Sequence, residues 1–312
     1  MLGFLPMFHG FGLAMGVHAP LTNYATSDLM ATYNEKEIGK LIKARKLRYL
    51  IVVPYLAKRM LKGKTLNDPS VSNLTHAFIG ADKTNPTVFT EFDSIMEKNN
   101  SKCRLLEGYG LTETVTVVVV NRIFDRKPGS VGKPFPDVKL KVIDENGNTL
   151  STNQNGQICI SAPCLALGYL NDKEATDKTF VTDENGIRWV LTGDEGYIDE
   201  DGFLFIKGRI KDMFKIAGFN IFPADIEDMT NKIEGVENCA AVYIDNPNHP
   251  YVHLFIKSDS KNIDTSELVK RVRENLSNEL IKYAVPEKIT VIDKLPLTNV
   301  GKINKKKLIE LD

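Results

Sequence analysis

The stretch Glu107-Gly108-Tyr109-Gly110-Leu111-Thr112-Glu113-Thr114 concentrates residue types that handle phosphate esters. Two glycines let a backbone approach a ligand closely, a tyrosine offers a flat face to a base, and a hydroxyl beside a carboxylate suits phosphate and magnesium. The same eight residues also describe a tight turn before a polar strand start, because short glycine motifs recur by chance. A second group is Leu191-Thr192-Gly193-Asp194. Its carboxylate, read as lying in a glycine-bordered loop after a strand, can accept hydrogen bonds from both hydroxyls of a ribose, or can simply form a turn.

The third group, Gly208 to Asn220 (GRIKDMFKIAGFN), offers planar donors at Arg209 and point charges at Lys211 and Lys215. Alone it reads as an exposed basic connector. Its position at an expected domain boundary favours a ligand role, since crevices between domains are preferred binding sites. The fourth, Leu295 to Asn304 (LPLTNVGKIN), sets Lys302 behind a glycine, where a loop could swing its ammonium group onto developing negative charge. Beside Lys305, Lys306 and Lys307 the competing reading is solvated surface.

These groups need elements to hold them. Helical spacing over residues 36–47 precedes LRYLIVVP, a buried strand ending at Pro54; Phe89 to Lys98 is again helical. TVTVVVV from Thr114 reads as a strand buried on both faces in a parallel or mixed sheet, and is too short for a membrane span. From about Val131, short strands (VKLKVID, QICI, WVL, FLFI) alternate with the turns ENGN, DENG and DEDG. Beyond Lys207 a helix opens at Pro223 with Gly235 at its end. The strands CAAVYI and YVHLFI then flank the turn DNPNHP, and a helix from Asp264 carries the stripe Leu268, Val272, Leu276, Leu280. The expected fold is α/β. A partial large domain over 1–208, a mixed sheet with helices plus a β-rich subdomain at about 131–207, precedes a small α+β domain over 209–312.

The 312 residues balance 40 basic against 40 acidic side chains, so no net field recruits nucleic acid, and any charged ligand must be met locally. Cys103, Cys159, Cys164 and Cys239 form no CxxC pair, which argues against a zinc site or disulfide framework and for a reducing compartment. The apolar opening MLGFLPMFHGFGLAMGVHAP lacks a basic leader and is interrupted by Pro6, His9 and glycines. It reads as a buried strand and loop, with Met1 an internal methionine or a gene-model start. No transmembrane segment is expected, and the end KKKLIELD lacks the SKL address. The expected location is intracellular, cytoplasmic or peroxisomal. Oligomeric state is not legible.

The four groups occur in one order, and together EGYGLTET, LTGD, GRIKDMFKIAGFNIFPADIE and LPLTNVGKIN resemble the consecutive core motifs of the adenylate-forming superfamily. That superfamily includes acyl-CoA synthetases, coumarate-CoA ligases, beetle luciferases and peptide-synthetase adenylation domains, and the resemblance spans essentially the whole chain. It implies a carboxylic acid, ATP, Mg2+ and coenzyme A as reactants: the acid attacks the α-phosphate to give an acyl-adenylate, and a thiol then displaces AMP. Carried over by position, Tyr109 would stack on adenine between Gly108 and Gly110, Gly80 and Ala81 would lie along the base, and Asp194 and Arg209 would bind ribose. Thr112 would meet phosphate and Glu113 would help hold magnesium. Lys302 would reach the carboxylate and α-phosphate. Lys211 falls at the family's hinge, Gly218 on the thiol's path with Lys215 and Asn220 nearby, and His9 and Phe11 beside the acyl pocket.

Two departures stand out. The Ser/Thr/Gly-rich loop with a lysine that grips the outer phosphates in relatives has no match here, so the chain is expected to be the C-terminal part of a ligase for a fatty or aryl-propenoic acid, or a noncatalytic remnant retaining a binding surface. A luciferase-type oxygenase shares the same first step. At Phe78-Ile79-Gly80-Ala81-Asp82 relatives often carry smaller residues, and Ile79 is expected to add bulk near the pocket.

Overall fold

The computed structural model describes residues 1–63, 65–216, 218–246, 249–259, 264–298 and 303–312. The chain forms two compact units, Met1–Ile206 and Lys207–Asp312. In the first, a seven-stranded sheet runs in the order Asp28–Leu29, Leu2–Gly3, Tyr49–Val52, His76–Ile79, Leu105–Gly110, Val117–Val120, Lys133–Pro134. The first five strands pair in parallel, Val117–Val120 pairs antiparallel to the fifth, and Lys133–Pro134 pairs antiparallel to Val117–Val120. This is the mixed sheet of an α/β fold.

Its helices begin where the chemistry allows. Asn34 caps Glu35–Arg45 by accepting from the Lys36 and Glu37 amides, acidic residues fill the first turn, and left-handed Lys46 ends it. Ile38 and Ile42 bury the inner face. The helix read as Phe89–Lys98 begins at Pro86: Asn85 caps it, and proline fits the first turn because its missing amide would be unpaired there anyway.

The opening segment departs from the strand and loop expected. Only Leu2–Gly3 is strand, and residues 10–22 wind through Gly10–Leu13, a π turn at Ala14–His18 and Ala19–Thr22, with Pro20 in the first turn of the last piece. The glycines serve contact rather than looseness. A Cβ at Gly10 would sit 1.8 Å from the Val115 carbonyl oxygen, and one at Gly12 would sit 2.2 Å from that of Pro6.

The strand read from Thr114 is shorter than expected, Val117–Val120, because Thr112–Thr114 forms a 3-10 turn and Val115 follows at φ 66°. Beyond it the β-rich region is an antiparallel sheet of Phe180–Thr182, Arg188–Ile198, Gly156–Ser161 and Lys139–Ile143, with Leu204–Arg209 paired to the long second strand. Its core (Ile158, Ile160, Val190, Leu204) packs against Val118 and Val119 of the large sheet. The DEDG turn is set by Asp199, whose Oδ1 accepts from the Asp201 and Phe203 amides and whose Oδ2 meets Lys127 Nζ at 2.6 Å. Burial works against that charge, yet the ammonium and amides hold the carboxyl below its ordinary value.

In the second unit, Val236–Ile244 and Tyr251–Ser258 form the antiparallel hairpin, with Lys288–Val291 parallel to the latter. Pro247 and Asn248, in its turn, lie outside the described residues. Asp264 caps Thr265–Glu279, whose Leu268, Val272 and Leu276 are buried, while Leu280 is the half-buried C-cap. The helix from Pro223 stops at Thr230, and Gly235, at φ 92°, closes the turns that follow rather than the helix itself. The connector read at 208–212 is strand through Arg209, then a 3-10 turn. All four cysteines are free, no cluster of three or more metal-ligating side chains occurs among the described residues, and none of their helices is long and apolar enough to cross a membrane.

His253 gives this unit a pH dependence. It is 1% exposed, with Nδ1 2.6 Å from Asp312 Oδ1 and Nε2 2.8 Å from Thr290 Oγ1. Burial, opposed by Asp312 and aided by Lys288, pulls its pKa below the ordinary 6.5. The unfolded chain therefore binds more protons between 6.5 and the lowered value, so stability falls as pH drops through that window and levels off beneath it. His76 in the first unit, lowered by burial and Arg48, acts with the same sign. Melting temperatures should fall from pH 7.5 to pH 5, and His253→Gln should flatten the part of that slope that belongs to the second unit; an unchanged slope would contradict the assignment.

Candidate active site

Within the first unit, residues expected to cooperate are brought together from distant parts of the chain. Tyr109, on the strand Leu105–Gly110, donates its hydroxyl to Asp194 Oδ2, 85 residues away in sequence. Asp194 is not on a loop after a strand. It sits inside the continuous strand Arg188–Ile198, where register slips between Leu191 and Glu195 and Gly193 takes φ 69°. A glycine in the left-handed region is what such a bulge requires, and the bulge re-aims the following side chain. Thr192 locks it, its Oγ1 donating to the Ile158 carbonyl at 2.8 Å and accepting from the Asp194 amide at 3.0 Å. Asp194 is buried at 4% exposure.

The loop after Tyr109 is tightly tied. Gly110 passes so near the opposing chain that a Cβ there would lie 1.9 Å from the Thr116 carbonyl oxygen. Thr114, fully buried, links the Leu111 amide (2.9 Å) to the Leu111 and Thr116 carbonyls, a structural role the motif alone did not reveal. Thr112 is thereby presented exposed and Glu113 half-buried. Val115, β-branched at positive φ, is a genuine strain point, and Ala81 is another at φ 73°. Gly80 is buried with its Cα against the Gly108 carbonyl, where a Cβ would come to 2.9 Å, so the ends of both strands converge; Ala81 beside it is exposed.

His9 is exposed and caps the Gly10–Leu13 helix, its Nδ1 accepting from the Phe11 amide at 3.2 Å. Gly10 abuts Val115, so the helix start lies against the Thr112–Val115 turn. Phe11 is buried and, with Met15, His76, Phe78, Ile79 and Phe135, borders a cavity of about 240 Å³ whose wall also includes Gly108. Ile79 reaches it as expected but also belongs to the core. His76 and Phe78 line it too, and with Tyr49 they form a stacked row with centroids 5.5 and 6.0 Å apart, a feature legible only once strand pairing sets Tyr49 opposite His76.

A residue not anticipated is Tyr169. Its hydroxyl donates to Glu113 Oε1 at 2.5 Å across 56 residues of sequence. One carboxylate is enough protein for magnesium, which keeps several waters and takes its other ligands from substrate phosphates, so Glu113 fits that ion.

In the second unit, Arg209, Lys211, Lys215, Gly218 and Asn220 are all exposed. Lys215 and Asn220 face each other in the hairpin Phe214–Ile216/Phe219–Ile221, and Gly218 supplies its left-handed residue at φ 85°. Lys211 lies in the 3-10 turn Ile210–Asp212. Lys302, with Asn299, Val300 and Gly301, lies outside the described residues; Leu297 and Ile303 on either side pair in an antiparallel bridge.

The first unit thus joins an α/β sheet whose strands approach closely at glycines, a buried carboxylate bonded to Tyr109, and an apolar cavity that Gly108 helps to line. Residues 1–170 match the AMP-binding enzyme family and residues 225–302 its C-terminal domain, and the chain belongs to that family, the adenylate-forming one its motifs resemble. It is 38% identical over 206 residues to a long-chain-fatty-acid–CoA ligase of Escherichia coli O157:H7, covering 65% of this chain and 35% of the relative. It is 29% identical to 4-coumarate–CoA ligase 2 of Nicotiana tabacum, covering 99% of this chain and 56% of the relative. Among solved structures, ATP-bound MatB from Rhodopseudomonas palustris superposes with TM-score 0.87 at 27% identity, covering 99% of this chain and 59% of that one. The chain thus spans between about a third and three fifths of the lengths of these relatives.

Proposed function

We propose that this chain carries the C-terminal part of an ATP-dependent carboxylic acid–CoA ligase that works through an acyl-adenylate. The observation carrying this reading is the Tyr109–Asp194 hydrogen bond, which joins two separately recognised motifs into one site. In it, the ring of Tyr109 packs on adenine beside Gly80, Ala81, Gly108 and Gly110, whose lack or shortness of side chain leaves backbone close to the base. Asp194 and Arg209 accept and donate to ribose hydroxyls. Thr112 donates to phosphate, and Glu113 holds Mg2+, which when bound offsets charge on the phosphate oxygens. Lys302 sets its ammonium against the charge that grows as the acid's carboxylate attacks phosphorus.

The domain over 209–312, which makes up nearly all of the second unit, is in this reading mobile and turns about Lys211 between adenylation and thiolation, with Gly218, Lys215 and Asn220 near the thiol's path. The cavity beside Phe11 and Phe78 takes the acid's organic group, His9 standing at its margin. At about 240 Å³ it is smaller than the roughly 300–1,000 Å³ usual for ligand pockets. Compact acids, short fatty or aryl-propenoic, are the first to test.

The test is pyrophosphate release dependent on both ATP and an acid, followed by AMP and a CoA thioester once CoA is added. It should be run on the chain and on a longer polypeptide containing it. Absence of acid-dependent pyrophosphate release from both would overturn the reading, and light in place of a thioester would move it to the luciferase type, to whose Luciola mingrelica member the chain is 28% identical over its full length.

A further inference from the structure

We infer that Tyr169 is a positioning residue for the Glu113 carboxylate, fixing which of its oxygens is left for a metal–nucleotide complex. The inference rests on the proposed role of Glu113 and adds a residue outside the motifs that define it. A carboxylate on a short turn can rotate and offer either oxygen. A hydroxyl donating to Oε1 removes that freedom and leaves Oε2 with its lone pairs available.

Such a donor is useful only if its own place is fixed, and the segment carrying Tyr169 is anchored on every side. Ala166 donates its amide to the Glu113 carbonyl at 2.8 Å, and Cys164 Sγ lies 3.3 Å from the Thr114 carbonyl, so the strap is fastened to the same turn that holds the carboxylate. The Arg188 guanidinium donates to the Ala166 and Leu167 carbonyls at 2.7 and 2.8 Å while stacking over Phe180 at 4.4 Å. The Tyr169 ring rests against Phe180, centroids 5.9 Å apart, and its amide donates to Thr176 Oγ1 at 2.8 Å, tying it to the helix Lys173–Thr179. Its neighbours Leu167 and Leu170 are 95% and 91% exposed. The strap therefore spends its anchoring on the tyrosine and not on its apolar residues, the pattern of a support that orients a ligating side chain.

The test titrates Mg2+ against the full 312-residue chain and a fixed concentration of a fluorescent N-methylanthraniloyl ATP, for wild type, Tyr169→Phe and, as a neighbour control, Leu170→Ala. Outer partners of metal ligands are typically worth 10- to 100-fold in metal affinity. Tyr169→Phe should raise the Mg2+ concentration for half-maximal binding by about that factor while metal-free nucleotide binding stays constant, and Leu170→Ala should match wild type. Equal Mg2+ dependence in Tyr169→Phe and wild type would overturn the inference and leave the ligase reading intact. An equal loss of metal-free and metal-dependent binding in Tyr169→Phe would also overturn it, in favour of a merely structural strap. A wild-type chain that binds no nucleotide with Mg2+ would overturn the inference for this chain, while the ligase reading stands or falls with acid-dependent pyrophosphate release from the longer polypeptide.

Discussion

Replacing Lys302 by alanine should slow acyl-adenylate formation by about 10²- to 10³-fold, the usual effect of deleting one preorganised donor that faces developing charge. The charge on the α-phosphate oxygens grows only as the acid's carboxylate approaches, so the ammonium stabilises the transition state more than bound ATP, and kcat should fall further than the affinity for ATP. Thiolation begins from an adenylate already formed and does not need this cation. Supplied with synthetic acyl-AMP and CoA, Lys302→Ala should make thioester at a rate close to wild type. ATP–pyrophosphate exchange and thioester formation, measured separately in a polypeptide that adenylates, give the two rates. A matching loss in both half-reactions would remove the specific role and leave Lys302 as part of the domain's framework.

The two halves of this site differ in how far the sequence exposes them. Motif order placed Tyr109, Glu113 and Asp194 in one family site, yet the hydrogen bond between Tyr109 and Asp194 depends on a bulge at Gly193 that no periodicity announces: Leu191 to Glu195 runs opposite Cys159 to Gln157, and the two residues gained are one full strand period, which leaves the alternation in phase on both sides. Gly10 and Gly12 read as interruptions and turned out to be contact points inside a helical run; a glycine's cost in a helix is small beside the gain from close approach, and only the fold shows what approaches. The start of the helix at Pro86 was in the sequence as Asn-Pro, a cap and a first-turn residue. Tyr169 carries no local mark of its partner: the pairing across 56 residues is made by tertiary structure alone. Strands and amphipathic helices were legible because burial imposes a period on neighbours in sequence. Contacts that orient single carboxylates impose none.

Gly110→Ala should destabilise the first unit by about 2–4 kcal/mol, well beyond an ordinary substitution at a strand end. The added carbon would sit 1.9 Å from the Thr116 oxygen, 2.5 Å from the Thr116 carbonyl carbon and 2.8 Å from the Val117 Cα, all backbone, so no side chain can swing aside to make room. Relief requires the strand Val117–Val120 to move off Leu105–Gly110 at the point where register already slips between Tyr109 and Gly110. Thr114 bonds to carbonyls on both sides of the turn and would carry Thr112 and Glu113 with it. Loss of nucleotide binding should therefore accompany loss of stability. Gly39→Ala is the counterpart: Gly39 lies inside the helix Glu35–Arg45, where a Cβ meets only Thr65 Cγ2 at 4.0 Å, and alanine should stabilise by roughly 0.5–1 kcal/mol through helix propensity and a less flexible unfolded chain. Urea midpoints for the two variants should move in opposite directions from wild type. If Gly110→Ala left the midpoint in place, the close approach of the two strands at this turn would be refuted, and with it the rigid presentation of Thr112 and Glu113 on which the proposed site depends.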